Sequence, residues 1–172
     1  MKEMVRYGFI LALICTIASG LLATVNSFTK SKIIAQAQAE EEASLKEVVA
    51  QGERFEAIKS QAGTIYYRVY DKEAKFIGVA FKASGKGYSS IIETMVGMLK
   101  DGTITTIKIL SQNETPGLGA NVAGRDFTGQ FTNKKDLTKV QAITGATISS
   151  RAVIEMVKNK AEEIKGLIKD GK

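Results

Sequence analysis

Thr144, Thr147, Ser149 and Ser150 crowd hydroxyl groups into the stretch "QAITGATISSRAVIEM", residues 141–156. An apolar series at three- and four-residue steps follows: Ile148, Ala152, Val153, Met156, Val157, Ala161, Ile164, Leu167 and Ile168. That period predicts a helix from about Ile148 to Ile168 whose first turn carries the hydroxyls. Two chemistries suit such a start. Any of the four hydroxyls could cap unsatisfied N–H groups. A helix N-terminus is also an anion site, through its free N–H groups and the positive end of its dipole. Gly145 and Ala146 remove bulk beside Thr147, so a large group could approach the backbone there. A phosphate esterified to the Thr147 hydroxyl would lie where the helix stabilises it.

A second stretch, "NETPGLGA" at residues 113–120, holds the only proline, Pro116. Pro116 fixes one backbone angle, and Gly117 and Gly119 permit tight turns and close approach. Glu114 and Thr115 offer hydrogen-bonding groups and Leu118 an apolar surface. Taken alone, this is equally a rigid connector. Tyr88, in "SGKGY", is either a stacking ring or ordinary packing.

The chain has no His and no Trp, and its one Cys, Cys15, lies in an apolar run. The commonest acid–base residue is therefore missing, and no disulfide framework, zinc site or cysteine-ligated iron–sulfur site can be built. No metal site is expected. Redox chemistry in this chain would have to come from an organic cofactor. The net charge of +6 is dispersed, and the densest basic stretch of the C-terminal half, "NKKDLTK", contains an Asp. No basic stripe with interleaved aromatics marks a nucleic-acid partner.

The elements that must position these residues begin with an uncharged run, residues 7–29, flanked by Arg6 on one side and Lys30 and Lys32 on the other. About 20 apolar residues span a bilayer core as a helix. A cleaved signal peptide is the rival, with "AQAQA" at 35–39 as its candidate cleavage site. Length, and the two lysines before that site, favour an uncleaved anchor. Flanking charge does not choose which end is cytoplasmic. Gly8, Ala12, Thr16, Gly20 and Thr24 place small side chains on one helix face, which either admits partner helices or reflects the ordinary composition of such segments. An Ala/Glu/Lys-rich stretch then reads as a helical stalk. "TIYYRVY" and "KFIGVAFKA" read as one hairpin, with "SGKGY" after it too Gly-rich for strand or helix. "SSIIETMVGML" and "TITTIKILS" read as a second hairpin, with Asp101-Gly102 in the turn. A short helix follows through "GRDFTGQF". The expected organisation is a tail at 1–6, a transmembrane helix at 7–29, a stalk at 30–60 and a domain at 61–172. The expected fold is α+β, with a four-stranded antiparallel sheet and flanking helices.

"TGAT" and "NETPGLGA", separated and in this order, resemble the motifs of the FMN-binding subunits of two related respiratory complexes. These are the G subunit of the Rnf ion-translocating complex and the C subunit of the sodium-translocating NADH:quinone reductase. "GKGYSSIIETMVGM" is similar to the family's glycine-tyrosine approach to a strand, and the single N-terminal anchor also matches. The resemblance, to the Rnf G subunit first, covers essentially the whole chain. It implies FMN bound through a phosphoester to Thr147, making this a phosphoprotein in that sense. It implies a separate flavin transferase that uses FAD and Mg²⁺, so Thr147 is a modification site and the chain supplies no catalytic residue. It further implies that Gly145 and Ala146 give clearance and that Thr144 binds the phosphate or shapes the turn. The loop of Glu114, Thr115, Pro116, Gly117, Leu118 and Gly119 would meet the flavin, with Tyr88 able to stack on the ring. The implied function is electron relay within an ion-translocating ferredoxin:NAD oxidoreductase, beside other membrane, iron–sulfur and flavin subunits. The domain would lie on the outer face of the cytoplasmic membrane. Where the family pattern has an acidic residue three positions before the first hydroxyl of the motif, this chain has Gln141. A cofactor-free, membrane-anchored assembly module is the alternative of a different class.

Overall fold

The computed structural model describes residues 2–60 and 63–169. Met1, Gln61, Ala62 and residues 170–172 belong to the expected tail and domain segments and lie outside the described residues.

The chain divides into two units, residues 1–40 and 41–172. Helix α1, Lys2–Val48, supplies the described residues of the first and the opening of the second. It is long and apolar enough to cross a membrane, and its most apolar window has none of its residues buried. Phe9, Leu11, Ile14, Leu21 and Phe28 are all exposed. The stripe threonines satisfy themselves within the helix: Thr16 donates to the Ala12 carbonyl at 2.8 Å and Thr24 to that of Gly20 at 2.7 Å.

The second unit is built on a five-stranded antiparallel meander: β1 (Arg54–Ser60), β2 (Gly63–Tyr70), β3 (Phe76–Lys86), β4 (Ile91–Leu99) and β5 (Ile104–Ser111), neighbours in chain order. The antiparallel α+β class expected from the sequence is the one found. The strand count is corrected from four to five. The stretch "RFEAIKS", read as the end of a helical stalk, pairs with β2 as an edge strand, with Arg54 opposite Tyr70. Its helix propensity is overridden by main-chain pairing, which an edge strand can make without a buried face. Ser84–Lys86, read as too Gly-rich for a strand, continue β3 opposite Glu93–Ile91 of β4.

Side-chain alternation along the strands sorts the core onto two faces. Val79, Phe81 and Ala83 of β3 and Ile92, Val96 and Met98 of β4 enter one cluster with Phe127, Phe131, Val153, Val157 and Ile164. Phe127 lies in the short helix α2 (Arg125–Thr128), and the last three in α3 (Thr147–Lys169). On the opposite face, Ala80, Met95 and Val69 pack with Leu45 and Val48 from the end of α1 and with Val49 just beyond it. Tyr67 Oη donates to Glu41 Oε1 at 2.8 Å, and Thr105 Oγ1 to the Val48 carbonyl, fixing this last turn of α1 on the sheet. The stacking of α3 on β3 and β4 is what brings the N-terminus of α3 beside the ends of those strands.

Candidate functional site

Two tight turns of one design face each other at the start of α3. In the first, the Ala146 N–H donates to the Ile143 carbonyl at 3.0 Å, with Gly145 at the third position and φ of 81°. In the second, the Leu118 N–H donates to the Thr115 carbonyl at 3.2 Å, with Pro116 second and Gly117 third at φ of 76°. A positive φ at the third position, with Pro tolerated at the second, defines a type II turn and explains both glycines. The turns touch: a Cβ on Gly145 would sit 3.4 Å from Leu118 Cδ2.

Between them lies a cleft of about 390 Å³, lined by Tyr88, Glu114, Thr115, Leu118, Gly119, Gly145, Ala146, Thr147, Ile148 and Ser149. That is the size of a cofactor site. Of the expected residues, Thr144, Pro116 and Gly117 are not in the lining. They are exposed and form the turns that shape it. Ile148 and Ser149 line the cleft, although the sequence does not single them out as binding residues. The helical period makes Ile148 the first core residue of α3, yet it is 58% exposed. Tyr88, Ile91, Leu118 and Ile148 are the exposed large apolar side chains outside α1 among the described residues, and three of the four line the cleft.

The hydroxyl cluster is divided by task. Ser150 Oγ donates to the Ala146 carbonyl at 2.8 Å and accepts from the Ile143 N–H at 3.1 Å, tying the turn to the helix. Ser149 Oγ donates to Glu114 Oε2 at 2.6 Å. Both serines are buried, whereas Thr144 and Thr147 are exposed. Ala146, which precedes the first helical residue, has no side-chain oxygen to offer the first-turn N–H groups. The helix therefore opens onto the cleft with its anion-binding end uncapped by that residue, and with Thr147 as its first residue. Gln141 is exposed, and its N–H donates to Gln130 Oε1 at 2.8 Å.

Glu114 is the centre of the polar structure. It is 5% exposed. Its Oε1 accepts from the Ser89 and Ser90 N–H groups at 3.0 and 2.8 Å and from Ser90 Oγ at 3.1 Å. Its Oε2 accepts from the Tyr88 N–H at 3.1 Å as well as from Ser149. Burial pushes the acid up, but the Ser149 hydroxyl and the Ser90 and Ser89 donors outweigh it and hold Glu114 at about 2. Among the described residues no cation pairs with it. Both carboxylate oxygens are thus committed to the protein, joining the segment between β3 and β4, the "ETPGLG" turn and the first turn of α3. Gly119 is required by this packing, since a Cβ there would sit 2.8 Å from Ser149 Oγ and 2.9 Å from Glu114 Oε2.

The site is a ligand-sized cleft at the head of a helix packed on an antiparallel sheet, with an exposed threonine in its wall, and it falls within the stretch that matches the FMN-binding domain class. The profile of the FMN-binding domain matches residues 87–162, and that of the RnfG N-terminal region matches residues 1–48. Over 166 residues the chain is 32% identical to the G subunit of the proton-translocating ferredoxin:NAD(+) oxidoreductase complex of Clostridium ljungdahlii, covering 90% of this chain and 88% of that one. It is also 32% identical to the G subunit of the ion-translocating oxidoreductase complex of Yersinia pestis, covering 94% and 90%. The chain belongs to this family of G subunits of ion-translocating oxidoreductase complexes. The solved structure of the C subunit of the Na(+)-translocating NADH-quinone reductase from Parabacteroides distasonis shares the fold, with a TM-score of 0.53 at 20% identity over 74% of this chain and 82% of that one.

Proposed function

We propose that this protein is the flavoprotein subunit of an ion-translocating ferredoxin:NAD oxidoreductase complex, with FMN joined through its phosphate to Thr147 Oγ1. The observation that carries the reading is the exposed Thr147 at the head of α3, in the wall of a cleft of cofactor size. The residues suit the group. The helix N-terminus favours a phosphate, Gly145 and Ala146 leave its approach clear, and Leu118, Ile148 and Tyr88 offer apolar surface for a ring system. When bound, FMN supplies the one- and two-electron chemistry that the side chains lack.

The chain's own residues hold and orient. The two turns fix the position of Thr147, the buried Ser149 and Ser150 lock the first helical turn, and Leu118 and Ile148 exclude water from one side of the cleft. Among the described residues no hydrogen bond joins the Thr147 hydroxyl to a base, and Glu114, the carboxylate of the cleft, is committed to its own donors, so attachment belongs to a separate flavin transferase using FAD and Mg²⁺. Helix α1 acts as a single-pass anchor in the cytoplasmic membrane, since its exposed apolar surface needs a non-aqueous surrounding. The soluble domain faces outward, where a tethered cofactor keeps a high effective concentration near its electron partners. Those partners are the other membrane, iron–sulfur and flavin subunits.

The test is intact-mass measurement after co-expression with the transferase. Wild type should gain one FMN-phosphoryl mass and fluoresce on a denaturing gel. Thr147→Ala should do neither, with its circular dichroism unchanged. A label surviving that substitution would place the attachment at Thr144, the other exposed hydroxyl of the motif. An unlabelled wild type would favour the cofactor-free assembly role.

A further inference from the structure

We propose that the Glu114 carboxylate is a fixed negative charge that lowers the reduction potential of the flavin held in the cleft. The proposal rests on the FMN reading above and assigns Glu114 an electrostatic role. Its oxygens are already taken by five donors from Tyr88, Ser89, Ser90 and Ser149. Those donors are neutral. They stabilise the charge without cancelling it, and no lysine or arginine among the described residues pairs with it. A carboxylate so held stays ionised throughout the physiological range. It also forms part of the cleft wall, with 5% exposure, so little water intervenes to screen it, and in such surroundings a unit charge acts more strongly than in bulk solvent.

The consequence follows from charge balance. At neutral pH the oxidised ring system takes up two electrons from its reductant and one proton from water, a net gain of one negative charge. An adjacent fixed anion disfavours that gain and shifts the couple to lower potential. The five donors favour an acceptor on both oxygens, which only the ionised carboxylate provides, and because every donor is neutral the charge persists at the cleft wall.

The experiment is a dithionite titration with redox mediators, performed on full-length flavinylated protein in detergent at pH 7. Flavin content by mass and absorbance is measured first. If wild type carries no flavin, the FMN reading fails, separately from this proposal. With flavin present, Glu114→Gln should shift the midpoint potential upward. Ser149→Ala keeps the charge but removes one donor, leaving it less compensated, and should shift the midpoint downward. A general loosening of the site would move both variants the same way. An unchanged or lowered midpoint in Glu114→Gln overturns the proposal. If Glu114→Gln does not fold, Ser149→Ala decides it: a downward shift supports the proposal, and an unchanged or upward one overturns it.

Discussion

Glu114 couples the site to the stability of the fold, and the sign of that coupling is set by its lowered pKa. Its pKa falls from 4.5 to about 2 in the folded protein. Its contribution is therefore complete above about pH 4.5 and is lost as pH falls toward 2. The difference corresponds to about 3 kcal/mol. Denaturant unfolding at a series of pH values should find wild type more stable than Glu114→Gln at pH 6, with the gap narrowing steadily below pH 4.5. Thr94 gives a prediction of opposite direction. It is fully buried in β4, and its hydroxyl has no hydrogen-bond partner among the described residues. Thr94→Val replaces an unsatisfied polar group with a methyl of the same shape and should raise stability by about 1 kcal/mol, read as a higher urea midpoint with an unchanged slope. At this scale Thr147 is legible in the sequence because turn glycine, helix start and hydroxyl lie within four positions. The clamp on Glu114 is not, because its donors come from residues some 25 and 35 positions away, and nothing local distinguishes a carboxylate facing a ligand from one facing its own backbone.

The elements are legible where period and turn chemistry agree. The period of α3 continues through the whole helix, and Asp101-Gly102 closes the second hairpin, where the Gly102 N–H donates to the Leu99 carbonyl at 2.9 Å. They are not legible where propensity and tertiary pairing disagree, as in β1, or where glycine enters a strand because a neighbour needs the space, as in the last residues of β3. Gly97 in β4 is such a place with a measurable consequence. A Cβ there would lie 2.2 Å from the Val48 carbonyl oxygen and 2.3 Å from Thr105 Oγ1. Gly97→Ala should push the last turn of α1 off the sheet and disturb the packing of Val48 against Met95. Overpacking of this kind costs about 1–3 kcal/mol, and chemical denaturation measures it. The labelling proposed for Thr147 should survive under native conditions, because Gly97 and the last turn of α1 pack on the sheet face opposite α3.

For the whole molecule, the division near residue 40 predicts what can be removed. The 47-residue α1 holds two populations of apolar side chain: those of the uncharged run, which are exposed, and Leu45 and Val48, which are buried within the second unit together with Val49 just beyond the helix. A fragment of residues 41–172 retains the second set and all five strands. It should leave the membrane fraction, run as a soluble monomer and melt cooperatively. A fragment beginning at residue 53 loses the second set as well. Each of those side chains is worth about 1.5–3 kcal/mol of burial, against a total stability of about 5–15 kcal/mol for a domain. It would also expose Val69, Ala80 and Met95, the face that α1 covers. This shorter fragment should show a broadened melt or none, bind hydrophobic dyes and aggregate. Circular dichroism melts of the two fragments, with gel filtration, measure the contrast. Equal stability of the two would mean that the end of α1 contributes nothing to the domain. The expected contrast makes residues 41–49 part of the domain, although they are contiguous in sequence with the apolar segment.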